Sequence, residues 1–211
     1  MRPTARLAPL VALAVAAAVL LPACGGSGAG GTTTAAATLA DRLPPVGAIP
    51  GLTPGRVVNL PTAAAWVSAL ADAGDPSKPA AVRRLRAAGF RGGVLRDERR
   101  GGARPVLFRA TVARLSGPRA ARAEAAGAVA GVARSGEGGG EAVAVPGVPG
   151  AHGTEIAVRA LGRSIRVLFV SFAAGPYLYG YQAVALGGGD SPRPDVLAAA
   201  RAAYERWGGV P

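Results

Sequence analysis

The chain has 211 residues, room for one ordinary domain with extensions. Half of them are apolar but only 5% are aromatic, so the core must be built largely from small aliphatic side chains. One cysteine and one histidine exclude an internal disulfide and a zinc cage, and 24 basic against 12 acidic residues give a net charge of +12.

Residues 1–24 have the three parts of an export signal. Arg2 and Arg6 form a basic start, residues 7–21 (LAPLVALAVAAAVLL) are uncharged and nearly all apolar, and LPAC closes the segment. As a helix, the apolar run rises only about 22 Å, short of the roughly 30 Å hydrocarbon core of a bilayer. An export signal therefore fits better than a permanent span. Leu21-Pro22-Ala23-Cys24 resembles the lipobox of bacterial lipoproteins. That resemblance implies a diacylglyceryl group on the Cys24 sulfur, removal of a signal peptide 1–23, and acylation of the new amine. Two or three acyl chains anchor stably where one is marginal.

From Gly25 to Ala37 the sequence GGSGAGGTTTAAA has no periodicity and no bulky side chain, which predicts a flexible spacer. Pro44, Pro45, Pro50 and Pro54 stiffen the approach to the domain. The reading is a tether over 24–52 and a single domain over 53–211.

Within the domain, residues 61–74 read as a helix capped by Thr62, with Trp66 and Leu70 on one face and Gly74 as the stop. A second helix covers 79–88, with Val82 and Leu85 inward and Gly89 ending it. FRGGVLRD (90–97) is a poor strand broken by Gly92 and Gly93. The next strand, PVLFRATVARL, sets Val106, Phe108, Ala110 and Val112 against Arg109 and Thr111, and the two segments pair as a hairpin. Residues 118–134 form a helix opened by Pro118, in which Gly127 and Gly131 suggest a close approach to a sheet.

The loop 135–141 and a short edge strand broken by Pro146 and Pro149 follow. Three strands then form a meander over 154–160, 164–173 and 177–186, with turns at Gly162 and Gly175-Pro176. A last helix, 195–207, carries Val196, Ala200, Tyr204 and Trp207 on one stripe. The expected fold is α+β, an antiparallel sheet of about four to six strands with helices packed on one face.

Few residues carry chemistry. His152, in PGAHGT, lacks a serine in a nucleophile elbow, and the only cysteine belongs to the anchor, so it reads as a solvent-exposed loop residue. The alternative is a hydrolase or transferase using His152 with a nearby carboxylate such as Glu155. No phosphate-binding or dinucleotide glycine pattern occurs, the carboxylates are scattered, and neither a metal nor another cofactor is expected. Tyr177, Tyr179 and Tyr181 share one face of a strand, as a candidate ligand strip or as cross-strand packing.

Charge placement is the second feature. Residues 83–122 hold twelve arginines and two acids, Asp97 and Glu98, a net +10. Arg83, Arg84, Arg86, Arg99, Arg100 and Arg104 are candidate contacts for an anionic partner. The sequence thus reads as an exported, non-enzymatic binding domain, lipid-anchored through Cys24 on the extracytoplasmic face of the cell membrane. The partner would be an anionic envelope polymer, anionic lipid or an acidic protein. Export and the lack of aromatics between the arginines argue against nucleic acid.

Overall fold

The meander and the hairpin join edge to edge. A computed structural model describes residues 39–71, 75–101, 105–136, 139–160, 163–186 and 193–208. Its elements are β1 (Thr53–Leu60), α1 (Ala63–Leu70), α2 (Lys78–Ala87), β2 (Gly92–Arg100), β3 (Val106–Arg114), α3 (Pro118–Ser135), β4 (Glu141–Ala142), β5 (His152–Ala160), β6 (Arg163–Ala174), β7 (Tyr177–Leu186) and α4 (Arg193–Trp207). The strands form one seven-stranded antiparallel sheet in the order β1-β2-β3-β7-β6-β5-β4. The α+β antiparallel architecture is as expected, with the strand count slightly above the expected range. No helix among the described residues is long and apolar enough to cross a membrane.

Alternation gives the sheet two distinct faces. On one, Phe108, Val112, Val170, Phe172, Tyr179 and Tyr181 are fully buried against Val196, Ala199, Ala200 and Ala203 of α4. Phe172 stacks flat on Tyr179 at 4.7 Å between ring centroids and meets Tyr204 of α4 edge-on at 6.2 Å. On the other, Leu95, Ala113 and Leu178 pack against Trp66, Val67, Leu85, Ala121 and Ala125 of α1, α2 and α3. Val132 of α3 also covers Ile156, Ile165, Val167 and Val184. Three helices therefore share one face and α4 covers the aromatic face, so the expected one-sided packing holds for α1, α2 and α3 only.

Two boundaries differ from the sequence reading. Thr53–Leu60 is the edge strand β1, which its Pro-Gly start concealed; the register slips between Pro54 and Val57, the mark of a bulge. Residues 39–52, expected within the tether, belong to the domain. Leu39, Leu43, Ile49 and Leu52 are buried in the aromatic-face core. This segment roofs an ion pair on β2. Arg96 Nε donates to Glu98 Oε1 at 2.8 Å and Arg96 Nη2 donates to the Pro44 carbonyl at 2.6 Å, with Arg96 6% and Glu98 1% exposed.

Local chemistry explains the helix ends. Thr62 caps α1 by accepting from the Ala65 N–H at 3.1 Å. Gly89, at φ +70°, takes the left-handed position that stops α2. Gly93 is required for a different reason, because a Cβ there would run into the Trp66 ring.

Gly127 and Gly131 are not close-approach glycines. A Cβ at either position meets nothing within 4 Å. Each costs α3 backbone entropy without a packing return. Gly127→Ala and Gly131→Ala should each stabilise the fold by about 0.4–1 kcal/mol, measured by urea unfolding; a destabilised double variant would contradict this account.

Candidate functional site

Cys24 and Arg104 lie outside the described residues. The tyrosine strip is built as expected on one face of β7, but the chain itself covers it. Tyr179 and Tyr181 are completely buried beneath α4 and residues 39–52, and only Tyr177 is half-buried. Tyr179 Oη accepts from Arg42 Nη1 at 3.1 Å, whereas Tyr181 Oη is buried without a hydrogen-bond partner among the described residues. Burial pushes both phenols above their ordinary range; at Tyr179 the Arg42 bond partly offsets it, and at Tyr181 the neighbouring Tyr179 adds to it. These two side chains pack the core and are not presented to a ligand.

His152 is exposed at the first position of β5. Glu155 is three residues along the same strand and so on its other face. Its carboxylate is held by Arg193, at 2.6 Å from Nη2, and lies 3.7 Å from Arg166 Nη1. The structure does not bring His152 and Glu155 together. Among the described residues, no three His, Cys, Asp or Glu side chains are grouped as a metal would need.

The five described candidate arginines do not form one surface. Arg83, Arg84 and Arg86 lie on α2, whereas Arg99 and Arg100 lie at the far end of β2. The two sites are roughly 25 Å apart along the strand at about 3.3 Å per residue. Arg84 Nε is held by both Glu124 oxygens, at 3.1 and 3.0 Å, and Arg109 is paired with Asp97 at 2.7 Å.

A different set converges. Arg91 N–H donates to the Arg114 carbonyl, Ser116 N–H to Ala88, and Leu115 N–H to Pro176, so α2, β2, β3, α3 and the β6–β7 turn meet at one end of the sheet. Arg86, Arg91, Arg114, Arg119 and Arg122 are all exposed there. None has a carboxylate partner among the described residues. Arg42 joins them, its guanidinium 3.6 Å from the centroid of Tyr177 and 4.5 Å from that of Trp207. Arg206 stands 4.8 Å from the Trp207 ring. Leu39 also sits at this end, beside Gly92. The sequence reading chose its six by density along the chain; only the pairing of strand ends identifies these.

The helical face carries a cleft of about 260 Å³, which the sequence reading missed. Its floor is Thr111, Gly180 and Ser171, paired across β3, β7 and β6. Trp66, Val67 and Leu70 of α1 form one wall and Ala128 and Val132 of α3 the other. The floor is low because its side chains are small, and its hydroxyls are turned away. Thr111 Oγ1 donates to the Gly180 carbonyl at 2.9 Å and Ser171 Oγ to the Tyr179 carbonyl at 2.8 Å. The lining is therefore mainly apolar, with Arg84, Glu124, Arg109 and Gln182 supplying polar groups at its margins. The available signal was Gly180 in the middle of an otherwise aromatic strand.

No family model and no curated protein matches the chain. Among solved structures it is similar to the extracellular domain of PknH from Mycobacterium tuberculosis, at 8% identity over 81% of this chain and 96% of that chain, with a TM-score of 0.47.

Proposed function

We propose that the protein is an exported, lipid-anchored, non-enzymatic domain of the cell envelope that binds a small ligand in the cleft on its helical face. The observation that carries this reading is the contrast between the two faces of the same strands. At the centre of the sheet one face holds Phe172, Tyr179 and Tyr181, while the other holds Thr111, Gly180 and Ser171. A sheet centre left unfilled in this way is a preformed concavity, mostly apolar with a few polar groups, as small-molecule sites are. The ligand it suits has an apolar body, lying between Trp66 and Ala128, and a polar head toward Arg84 and Gln182. The lipobox supports export and anchoring, and the exposed arginines supply attraction to an anionic envelope partner.

Trp66 reports on the cleft. With Trp207→Phe, it is the sole tryptophan of the chain. A dibrominated long-chain fatty acid should quench Trp66 saturably in the full-length protein held in zwitterionic nanodiscs. Ala128→Phe, which fills the cleft from α3, should weaken that quenching by at least roughly tenfold with an unchanged thermal midpoint. Equal quenching in the filled variant removes the cleft as the site.

A further inference from the structure

We infer that the arginine-rich end of the sheet is a docking surface for anionic lipid headgroups of the membrane that carries the anchor. The inference rests on the anchored reading above but concerns a different surface from the cleft. Three observations meet at this end. Five exposed arginines, Arg86, Arg91, Arg114, Arg119 and Arg122, stand there without carboxylate partners among the described residues. Asp97 and Glu98, the acids of the same window, lie toward the other end of β2; Glu124 of α3 is held by Arg84, Asp195 lies in the first turn of α4, and Asp41 and Glu205 are the exposed acids of the adjoining segments.

Half-buried Tyr177 and Trp207 flank Arg42 in the same region, giving aromatic rings beside guanidinium groups, the pairing that settles at a membrane interface. Leu39, the first described residue, is placed at this end and not the opposite one.

The position of Leu39 selects the partner. Fourteen residues separate Cys24 from Leu39. A glycine-rich chain of that length spans about 20 Å, so an anchored domain would hold this end near the lipid surface. A tether of so few residues raises the effective concentration to the order of millimolar, so a weak electrostatic attraction is enough to dock it. The sheet would then stand with its strand ends on the bilayer.

The test uses the lipidated full chain reconstituted in phosphatidylcholine vesicles with or without about one third phosphatidylglycerol. Hydrogen exchange should slow around Gly89, Ser116 and Gly175 only on the anionic vesicles, and high salt should abolish the effect. Arg91→Glu, Arg114→Glu and Arg119→Glu together should lose the protection and, in vesicle flotation of the unacylated mature chain, on the order of a hundredfold in affinity. The corresponding triple glutamine variant guards against misfolding and should lose most of the same affinity. Equal protection on both vesicle types, an undiminished triple variant, or preference for a soluble anionic polysaccharide at equal charge overturns the proposal. The mass of the amino-terminal peptide is read in parallel. An unacylated amino terminus removes the anchor, and flotation of that unanchored protein then decides the surface by itself.

Discussion

Glu98→Ala is expected to destabilise the domain by about 3–5 kcal/mol. Arg96 and Glu98 sit two apart on β2, so both side chains project onto the aromatic face, beneath residues 39–52. With Glu98 removed, a guanidinium only 6% exposed keeps the Pro44 carbonyl and loses its counter-charge. The loss would be a large share of the ~5–15 kcal/mol that holds a typical domain together. The pair itself adds little net stability, because desolvation offsets most of its attraction. The double variant Arg96→Met with Glu98→Leu should therefore lie close to the parent. Because the pair is shielded from solvent, added salt should leave the single-variant penalty nearly unchanged. Chemical denaturation at neutral pH checks all three statements; a Glu98→Ala penalty below about 1 kcal/mol would mean that residues 39–52 move aside and admit water.

The second large effect is alkaline. Tyr179 and Tyr181 have their phenol pKa values raised, by burial first of all. Below about pH 10 both phenols are protonated in folded and unfolded chain alike, and their contribution to stability is fully present. Above it the unfolded chain releases protons that the folded chain retains. The folded state then binds more protons, so stability must fall as pH rises. The slope approaches about 1.4 kcal/mol per pH unit for each tyrosine kept protonated, up to its folded pKa.

Tyr181→Phe should make this decline shallower. It should also leave neutral stability unchanged or raised, since it deletes a buried hydroxyl without a partner. Tyr179→Phe behaves differently because it breaks the 3.1 Å bond from Arg42. Unfolding free energy measured from about pH 8 to 12, with phenolate absorbance in parallel, separates the variants; a parental slope in Tyr181→Phe would refute the assignment.

Periodicity revealed much of the fold. Val106, Phe108, Ala110 and Val112 alternate as a half-covered strand must, and all four are buried on one side of β3. Pro118, Gly89 and Thr62 marked helix ends through backbone chemistry that needs no tertiary partner. β1 escaped because an edge strand with a bulge and exposed Arg56 and Val57 has no obligation to alternate. Residues 39–52 escaped because their prolines and glycines resemble a spacer, while the four apolar side chains that bury have no regular spacing. The candidate surfaces were less legible still. The cleft arises from what Thr111, Gly180 and Ser171 lack, and the basic end from five arginines spread over 36 positions, Arg86 to Arg122, joined by the more distant Arg42. Neither property is local.

The unequal faces of the central strands also bear on how this protein can diverge. In β6 and β7 one set of alternate positions is locked by the stacked rings and α4. Part of the intervening set, Phe169, Ser171, Gly180 and Gln182, borders the cleft. Substitutions at Ser171, Gln182 or Ala128 can therefore reshape what the cleft admits while leaving the aromatic layer intact. Descendants of this chain should keep their architecture while the shape of the cleft drifts.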